Sequence, residues 1–257
     1  MKNKYRLISF ASICSVLLIW YLLTDGMHVF SPYLFPSPVT VFRAFITKLT
    51  VKIPDGGTLG THILSSLRVA LLGYCLGIVV GVPLGILMAW NRTIDLIVKP
   101  IFDLIRPIPP VGWIPLMILW CGIGIRAQAM VIFVSSVTPC IVNSYSAIHQ
   151  TKDVHKWVAQ TFGATKAQVL LDVCIPSALP MIFSGMKVSL GASWMALVAA
   201  EMLAATQGLG YMIQMNRMVG RADNIIVGMI VIGMVGALLS AILNFFERKF
   251  VKGRSKV

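Results

Sequence analysis

Charge is scarce in this sequence. Only 12% of its 257 residues are Asp, Glu, Lys or Arg, and just 9 of them are acidic. Soluble domains carry about 25% charged residues, and half that proportion cannot wet the surface of a 28.1 kDa globule. The composition excludes a soluble enzyme, a disordered chain, a fibrous protein and a disulfide scaffold. Chemical motifs are missing as well. There is no HExxH, no CxxC pair, no GxxxxGK[ST] phosphate loop, and no set of paired carboxylates or Cys/His/Ser partners. A metal site, a nucleotide site on this chain and a membrane-enzyme reading therefore have no support, and no cofactor is expected on this chain. The five cysteines, an odd number placed in or beside apolar runs, read as small buried apolar residues. The four histidines, His28, His62, His149 and His155, lack ligand spacing and read as surface or loop residues.

Apolar residues are abundant instead, at 57% of the chain with a mean hydropathy of +0.84. They come in long runs rather than the short alternating segments of a membrane barrel. A bilayer-spanning helix needs about 20 residues. The runs predict an all-α polytopic integral membrane protein of about six spans, organised as a single domain over 1–257. The first run, 7–23, resembles a signal peptide, but Thr24-Asp25-Gly26 offers no A-x-A cleavage site, so an uncleaved N-terminal span is expected. An external loop, 24–61, is rich in Pro and Gly and has room for a short helix over 41–49.

The core spans occupy about 62–246. In the first of them Gly73, Gly77, Gly81 and Gly85 recur every fourth residue and form one stripe, the pattern that lets membrane helices approach closely. Pro83 should kink that helix. Residues 100–124 hold Arg106-Pro107-Ile108-Pro109-Pro110 and Trp113-Ile114-Pro115, which no regular helix tolerates. Two arrangements stay open there: a broken span, or a surface loop followed by a short span. Further runs cover 127–148, 176–205 and 225–246. The stretch 206–224 reads as an outer loop, and 247–257 as a cytoplasmic tail.

Six spans place both termini on one side. That side carries 13 Lys and Arg against 6 on the other, so the positive-inside rule puts both ends in the cytoplasm. The net charge of +13 then reports topology rather than nucleic-acid binding. Inside the spans, Lys187 and Glu201 are the ionisable groups that matter, since such groups usually face a cavity or a partner. Ser184, Lys187 and Gly191 share a helix face, a possible translocation path that would suit an anion; a lysine snorkelling or bonded to carbonyls is the alternative. Glu201 sits near a span end, where a salt bridge with Arg217 or Arg221 competes with a place on the same translocation path.

The cytoplasmic loop 150–175 is the most informative segment. Asp153 can cap a helix whose positions Val154, Trp157, Val158, Thr161 and Phe162 form a stripe. Gly163 can end it in a left-handed turn, Thr165 can cap a second short helix, and Pro176 opens the next span. The stripe can dock on a partner, pack on the chain's own spans, or lie in the lipid interface.

Trp157-Val158-Ala159, three residues, Gly163, nine residues, then Val173-x-Ile175-Pro176 resembles the cytoplasmic "EAA" signature of ABC-importer permeases. Ala159, Gly163 and Pro176 match the pattern directly, Val173 and Ile175 conservatively, while Trp157 and Val158 replace the leading Glu-Ala. Phe35-Pro36-Ser37-Pro38, the Arg106 and Trp113 proline motifs, and Ala199-Ala200-Glu201-Met202-Leu203 with Gly208-Leu209-Gly210 resemble the nitrate/sulfonate/taurine branch. The resemblance implies a type I permease fold in a bacterial cytoplasmic membrane, paired with a second permease copy. It implies coupling to a cytoplasmic ATPase through Trp157, Val158, Ala159, Phe162, Gly163, Ala164 and Pro176, with ATP held on that subunit. An extracytoplasmic solute-binding protein would deliver a small, anionic cargo. A self-sufficient secondary transporter or channel is the alternative.

Overall fold

Gly122, Gly163 and Gly220, each with positive φ, end three helices of this chain, while Pro83, Pro100, Pro139 and Pro180 lie inside others. The computed structural model describes residues 2–27, 31 and 33–251, with side chains in the first helix at position 8 and from 11 onward. The basic side chains of Lys2, Lys4 and Arg6, His28, Pro32 and the tail residues 252–257 lie outside that description. The helices are α1 (Lys2–Tyr21), α2 (Pro38–Lys48), α3 (Leu59–Trp90), α4 (Arg92–Ile105), α5 (Ile114–Cys121), α6 (Ile125–His149), α7 (Asp153–Thr161), α8 (Lys166–Gln168), α9 (Ile175–Ala204), α10 (Leu209–Met218) and α11 (Ala222–Phe250). No strand occurs among the described residues.

Among the described residues, four segments are long and apolar enough to cross a bilayer: Leu59–Trp90, Ile125–His149, Lys166–Ala204 and Ala222–Phe250. The pair Arg92–Ile105 and Pro110–Cys121, bent by 89°, passes the same test only when its two helices are taken together. The bend falls at Arg106-Pro107-Ile108-Pro109, where two prolines remove backbone donors and Pro109 is itself extended, with φ -63 and ψ 140. The region expected to be irregular over 100–124 is thus two helices at a right angle, and the first begins earlier, at Arg92, where the Asn91 side chain caps the backbone N–H of Thr93. The apolar part of the N-terminal helix, Ala11–Gly26, is shorter and ends in a π-helical turn. The stretch 206–224, read as an outer loop, contains the short helix α10, whose Leu209 and Met212 are buried.

The chain folds as two compact units. The larger comprises 66–206 and 234–257. Within it α3, α6 and α9 meet at Val69, Ala70, Ala129, Ile132 and Leu197. The glycine stripe explains the closeness of the first two helices. A Cβ on Gly77 would run into the Ser136 hydroxyl, and one on Gly85 would lie 2.5 Å from the Ile141 carbonyl oxygen; Gly73 and Gly81 also face α6. This approach lets the Ser136 hydroxyl reach the Tyr74 carbonyl (3.3 Å) and the Ser189 hydroxyl (2.7 Å). Small residues and short polar bonds are what holds helices together where lipid removes the hydrophobic drive. Ile114 and Met117 of α5 pack on Ala127 and Val131 of α6 and on Ala196 and Ala200 of α9. The end of α9 is satisfied from α6, since the Ala204 carbonyl accepts from the Gly124 N–H (3.1 Å) and the Gln128 amide (2.8 Å).

The smaller unit comprises 1–65 and 207–233. Ser37 caps α2, with Pro38 in its first turn, and the Trp20 indole donates to the Pro36 carbonyl at 3.2 Å. Asn216 and Asn224 bond at 2.7 Å beside Gly228, whose missing side chain leaves room for Ile213. Cys140 and Cys174 are buried as expected of small apolar residues, whereas Cys14 and Cys75 are exposed on helices, where a lipid environment makes burial unnecessary.

Candidate functional site

The segment between α6 and α9 is built from three local signals. α7 starts after Lys152; Asp153 does not cap it but sits in the first turn, favourable to the helix dipole, and pairs with Lys156 at 3.1 Å. Gly163 ends it with φ +82. The Gly163 N–H donates to the Gln160 carbonyl (2.9 Å) and the Ala164 N–H to that of Ala159 (3.0 Å), the paired bonds of a Schellman turn. Thr165 and Gln168 then form a reciprocal capping box on α8. Past it the chain takes a π-helical turn, Val169–Cys174, into α9. That turn absorbs the missing donor of Pro176, since π-turns commonly accommodate such register breaks.

The element has two sides. Ala159 and Ala164 pack onto a core of Ala147, Ile148, Val169, Cys174, Ala178 and Ile182 in the same unit. Val154, Trp157, Val158 and Phe162 point the other way; Trp157 is 63% exposed and Phe162 88%. The short helical knuckle is thus fastened by its alanines and presents an aromatic and aliphatic face. Gly163 has open space around it, so its constraint is backbone conformation rather than crowding. Pro176 is exposed at the start of α9.

The other residues singled out from sequence lie along α9. Ser184 and Gly191 are exposed and Lys187 is half-buried. The Lys187 ammonium donates to Glu247 of α11 at 2.5 Å, so its charge is matched by a carboxylate 60 residues later. Glu201 is fully buried and accepts a 2.6 Å bond from Ser66 of α3. Arg221 grips Asp223 through two bonds of 2.9 and 2.8 Å.

A family profile described as "Binding-protein-dependent transport system inner membrane component" matches residues 81–256, which contain the whole of this knuckle. The chain belongs to that family. The permease is 32% identical over 253 residues to the taurine transport system permease protein TauC of Escherichia coli, covering 97% of this chain and 90% of TauC. It is 34% identical over 233 residues to a putative ABC transporter permease of Methanocaldococcus jannaschii, covering 90% and 86%. It is 30% identical to the nitrate import permease NrtB of Synechocystis, covering 95% and 89%. Its fold is similar to that of a chain of the MetNI methionine ABC transporter in an inward-facing conformation, with a TM-score of 0.60, 19% identity, and coverage of 75% of this chain and 95% of that one. The permease is therefore a multi-pass integral membrane protein and a transport component.

Sequence reasoning missed one polar cluster of the permease. His62 is not a surface residue; it is fully buried with Lys48 and Asp55. Lys48 pairs with one Asp55 oxygen, and His62 Nε2 lies 3.3 Å from the other. The Gly208 N–H donates to His62 Nδ1 at 3.1 Å, which makes that nitrogen an acceptor and leaves the ring proton on Nε2, facing Asp55. Burial pushes the Asp55 carboxyl up, but the approach of His62 and Lys48 outweighs it and holds Asp55 below the ordinary carboxylate value. The sequence signal was the seven-residue spacing of Lys48, Asp55 and His62, a repeat with no motif attached to it.

Proposed function

We propose that this chain is the membrane-spanning subunit of an ATP-binding-cassette importer that moves a small anionic solute, of the sulfonate, nitrate or taurine kind, into the cell. Alternating access is driven by ATP bound to a separate cytoplasmic ATPase, which grips the knuckle made by α7 and the Gly163 turn. Trp157, Val158 and Phe162 supply the contact face, Ala159 and Ala164 fasten it to the spans, and Pro176 passes its movement into α9. A second copy of the chain completes the path, Ser184, Lys187, Gly191 and Glu201 lie along or beside it, and an extracytoplasmic binding protein delivers the solute. In this reading both termini and the knuckle face the cytoplasm, which the distribution of Lys and Arg supports.

One observation carries this reading: large apolar side chains stand exposed on an element otherwise well capped and anchored, within a chain of this family. Exposed aromatic and aliphatic anchors on a short helix are the usual form of a docking element. The cargo class is supported by the names of the relatives, which include permeases for taurine, nitrate, aliphatic sulfonates and bicarbonate. The test is co-purification with an ATPase encoded beside this chain. Gly163→Val forces a β-branched residue to φ +82, where a side chain costs about 1–2 kcal/mol. It is expected to weaken the complex and abolish uptake while leaving membrane insertion intact. Uptake that persists with the ATPase deleted would instead identify a self-sufficient carrier or channel.

A further inference from the structure

Arg106 closes the C-terminal end of α4, and its guanidinium has no hydrogen bond or ion pair among the described residues. It lines a cavity of about 210 Å³ in the larger unit, together with Lys99 and Asp103 of α4 and Ile141, Tyr145 and Ser146 of α6. The charges there are not evenly matched. Lys99 Nζ lies 3.7 Å from Asp103 and 5.4 Å from the centre of the Tyr145 ring, so its charge is already engaged. The Tyr145 hydroxyl donates to Asp95 at 3.3 Å. Two cations and one carboxylate line the space, which leaves one positive charge, and that charge belongs to Arg106.

Arg106, Lys99 and Asp103 are all exposed, so the space opens to the surface of the larger unit, where a solute or a lipid headgroup can reach it. A guanidinium offers a rigid fork of donors that matches the oxygens of a planar or tetrahedral oxyanion. The Ser146 hydroxyl can add a third donor and Ile141 an apolar wall. At about 30 Å³ for each water-sized group, the space holds roughly seven. We propose that this cavity binds one singly charged oxyanion group of sulfonate or nitrate size, anchored by Arg106. The group belongs either to a free solute or to the headgroup of an anionic phospholipid; the identification of the free solute rests on the small-anion reading above.

The experiment uses the full transporter, permease with its ATPase, in nanodiscs of phosphatidylcholine. Ethanesulfonate is titrated by calorimetry into the wild type and into R106Q, R106K and D103N. The wild type should bind saturably. R106Q should weaken binding at least about tenfold, as loss of a charge-assisted pair requires. R106K should fall between the two, because it keeps the charge and loses the fork. D103N should bind several-fold tighter, because it removes the carboxylate that repels the probe. A second set of discs contains phosphatidylglycerol. If headgroups occupy the cavity, that lipid raises the apparent Kd of the wild type and leaves R106Q unchanged; if a free solute is the ligand, lipid composition has no effect. Equal affinity in wild type and R106Q, absence of saturable binding in phosphatidylcholine discs, or weaker binding by D103N would overturn the site. ATP hydrolysis by the same discs separates the two ideas. Hydrolysis with binding that ignores Arg106 removes this site alone, whereas failure of the ATPase to assemble on the permease removes the importer reading.

Discussion

Lys48, Asp55 and His62 show how much a membrane protein invests in single buried charges. The Lys48–Asp55 pair is almost sealed from solvent, with side chains 2% and 0% exposed. Breaking such a pair from one side strands the other charge and costs about 3–5 kcal/mol. Lys48→Met should therefore lower the unfolding midpoint strongly, and Lys48→Met with Asp55→Asn should cost less than the sum of the singles, a coupling that a double-mutant thermal series measures directly. Asp55 also fixes a pH dependence. Its carboxyl is held below the ordinary value in the folded protein, so the unfolded chain binds the proton more readily. The stabilisation is fully present above the unfolded carboxylate value of about 3.9 and is lost as pH falls through the lower folded value. Wild type should thus hold its advantage over D55N from neutral pH down to about 4 and lose it only below that, in melts followed by intrinsic fluorescence. Gly77 makes a second residue-scale point. A Cβ there would collide with Ser136 on a packed helix rather than with a movable tip. Gly77→Val should overpack the α3–α6 contact by about 1–3 kcal/mol, and a detergent-stability assay should show this while the equivalent change at Gly191, which has open space around it, shows little.

Elements differ in how far their sequence announces them. The glycine stripe of α3 is legible because a four-residue repeat maps onto one helix face whatever the partner turns out to be. The knuckle is legible because its signals are local: an apolar stripe, a glycine at the helix end, Thr165 and Gln168 three residues apart, and a proline that opens the next helix. α10 is hidden because its short amphipathic pattern sits among polar residues, and only burial of Leu209 and Met212 within its unit makes it a helix worth forming. The start of α4 is equally obscure, since Asn91 acts as a cap only once Thr93 and Ile94 turn their N–H groups toward it. Partners far apart in sequence cannot be read at all. Nothing in the neighbourhood of Lys187 points to Glu247, and nothing near Glu201 points to Ser66, because those pairs depend on which faces of three helices meet. At this scale the sharpest prediction concerns Trp157, which stands where the family signature has Glu. Trp157→Ala removes the largest exposed apolar side chain of α7 without touching the Schellman turn. It should weaken ATPase capture at least about tenfold, in line with the loss of a central aromatic anchor, and leave the melting temperature of the isolated permease nearly unchanged. Surface plasmon resonance against the purified ATPase reads the first, and a thermal scan the second.

Across the whole molecule, low charge and high apolar content dictate a membrane solvent, and the bilayer then dictates that backbone groups be satisfied within helices. The one place where two candidate halves of a span meet at 89° is also the place where prolines have removed the donors that a straight helix would need. The proposed orientation rests on the distribution of basic residues, with 13 Lys and Arg assigned to the side of the termini against 6 to the other. Orientation matters beyond topology, because an ATP-driven motor is useful only if the knuckle faces the compartment that holds ATP. A reporter active only in the cytoplasm, fused after α11, should be active, and a cysteine introduced at Lys166 in a background without the five native thiols should resist a membrane-impermeant maleimide in intact cells and react once the membrane is opened. Labelling of that cysteine in intact cells would place the knuckle outside and remove any means by which a cytoplasmic ATPase could grip it. Protection in intact cells with labelling after permeabilisation is the outcome that the charge asymmetry requires, because reversing the body would carry about twice as many basic residues across the membrane as it would return.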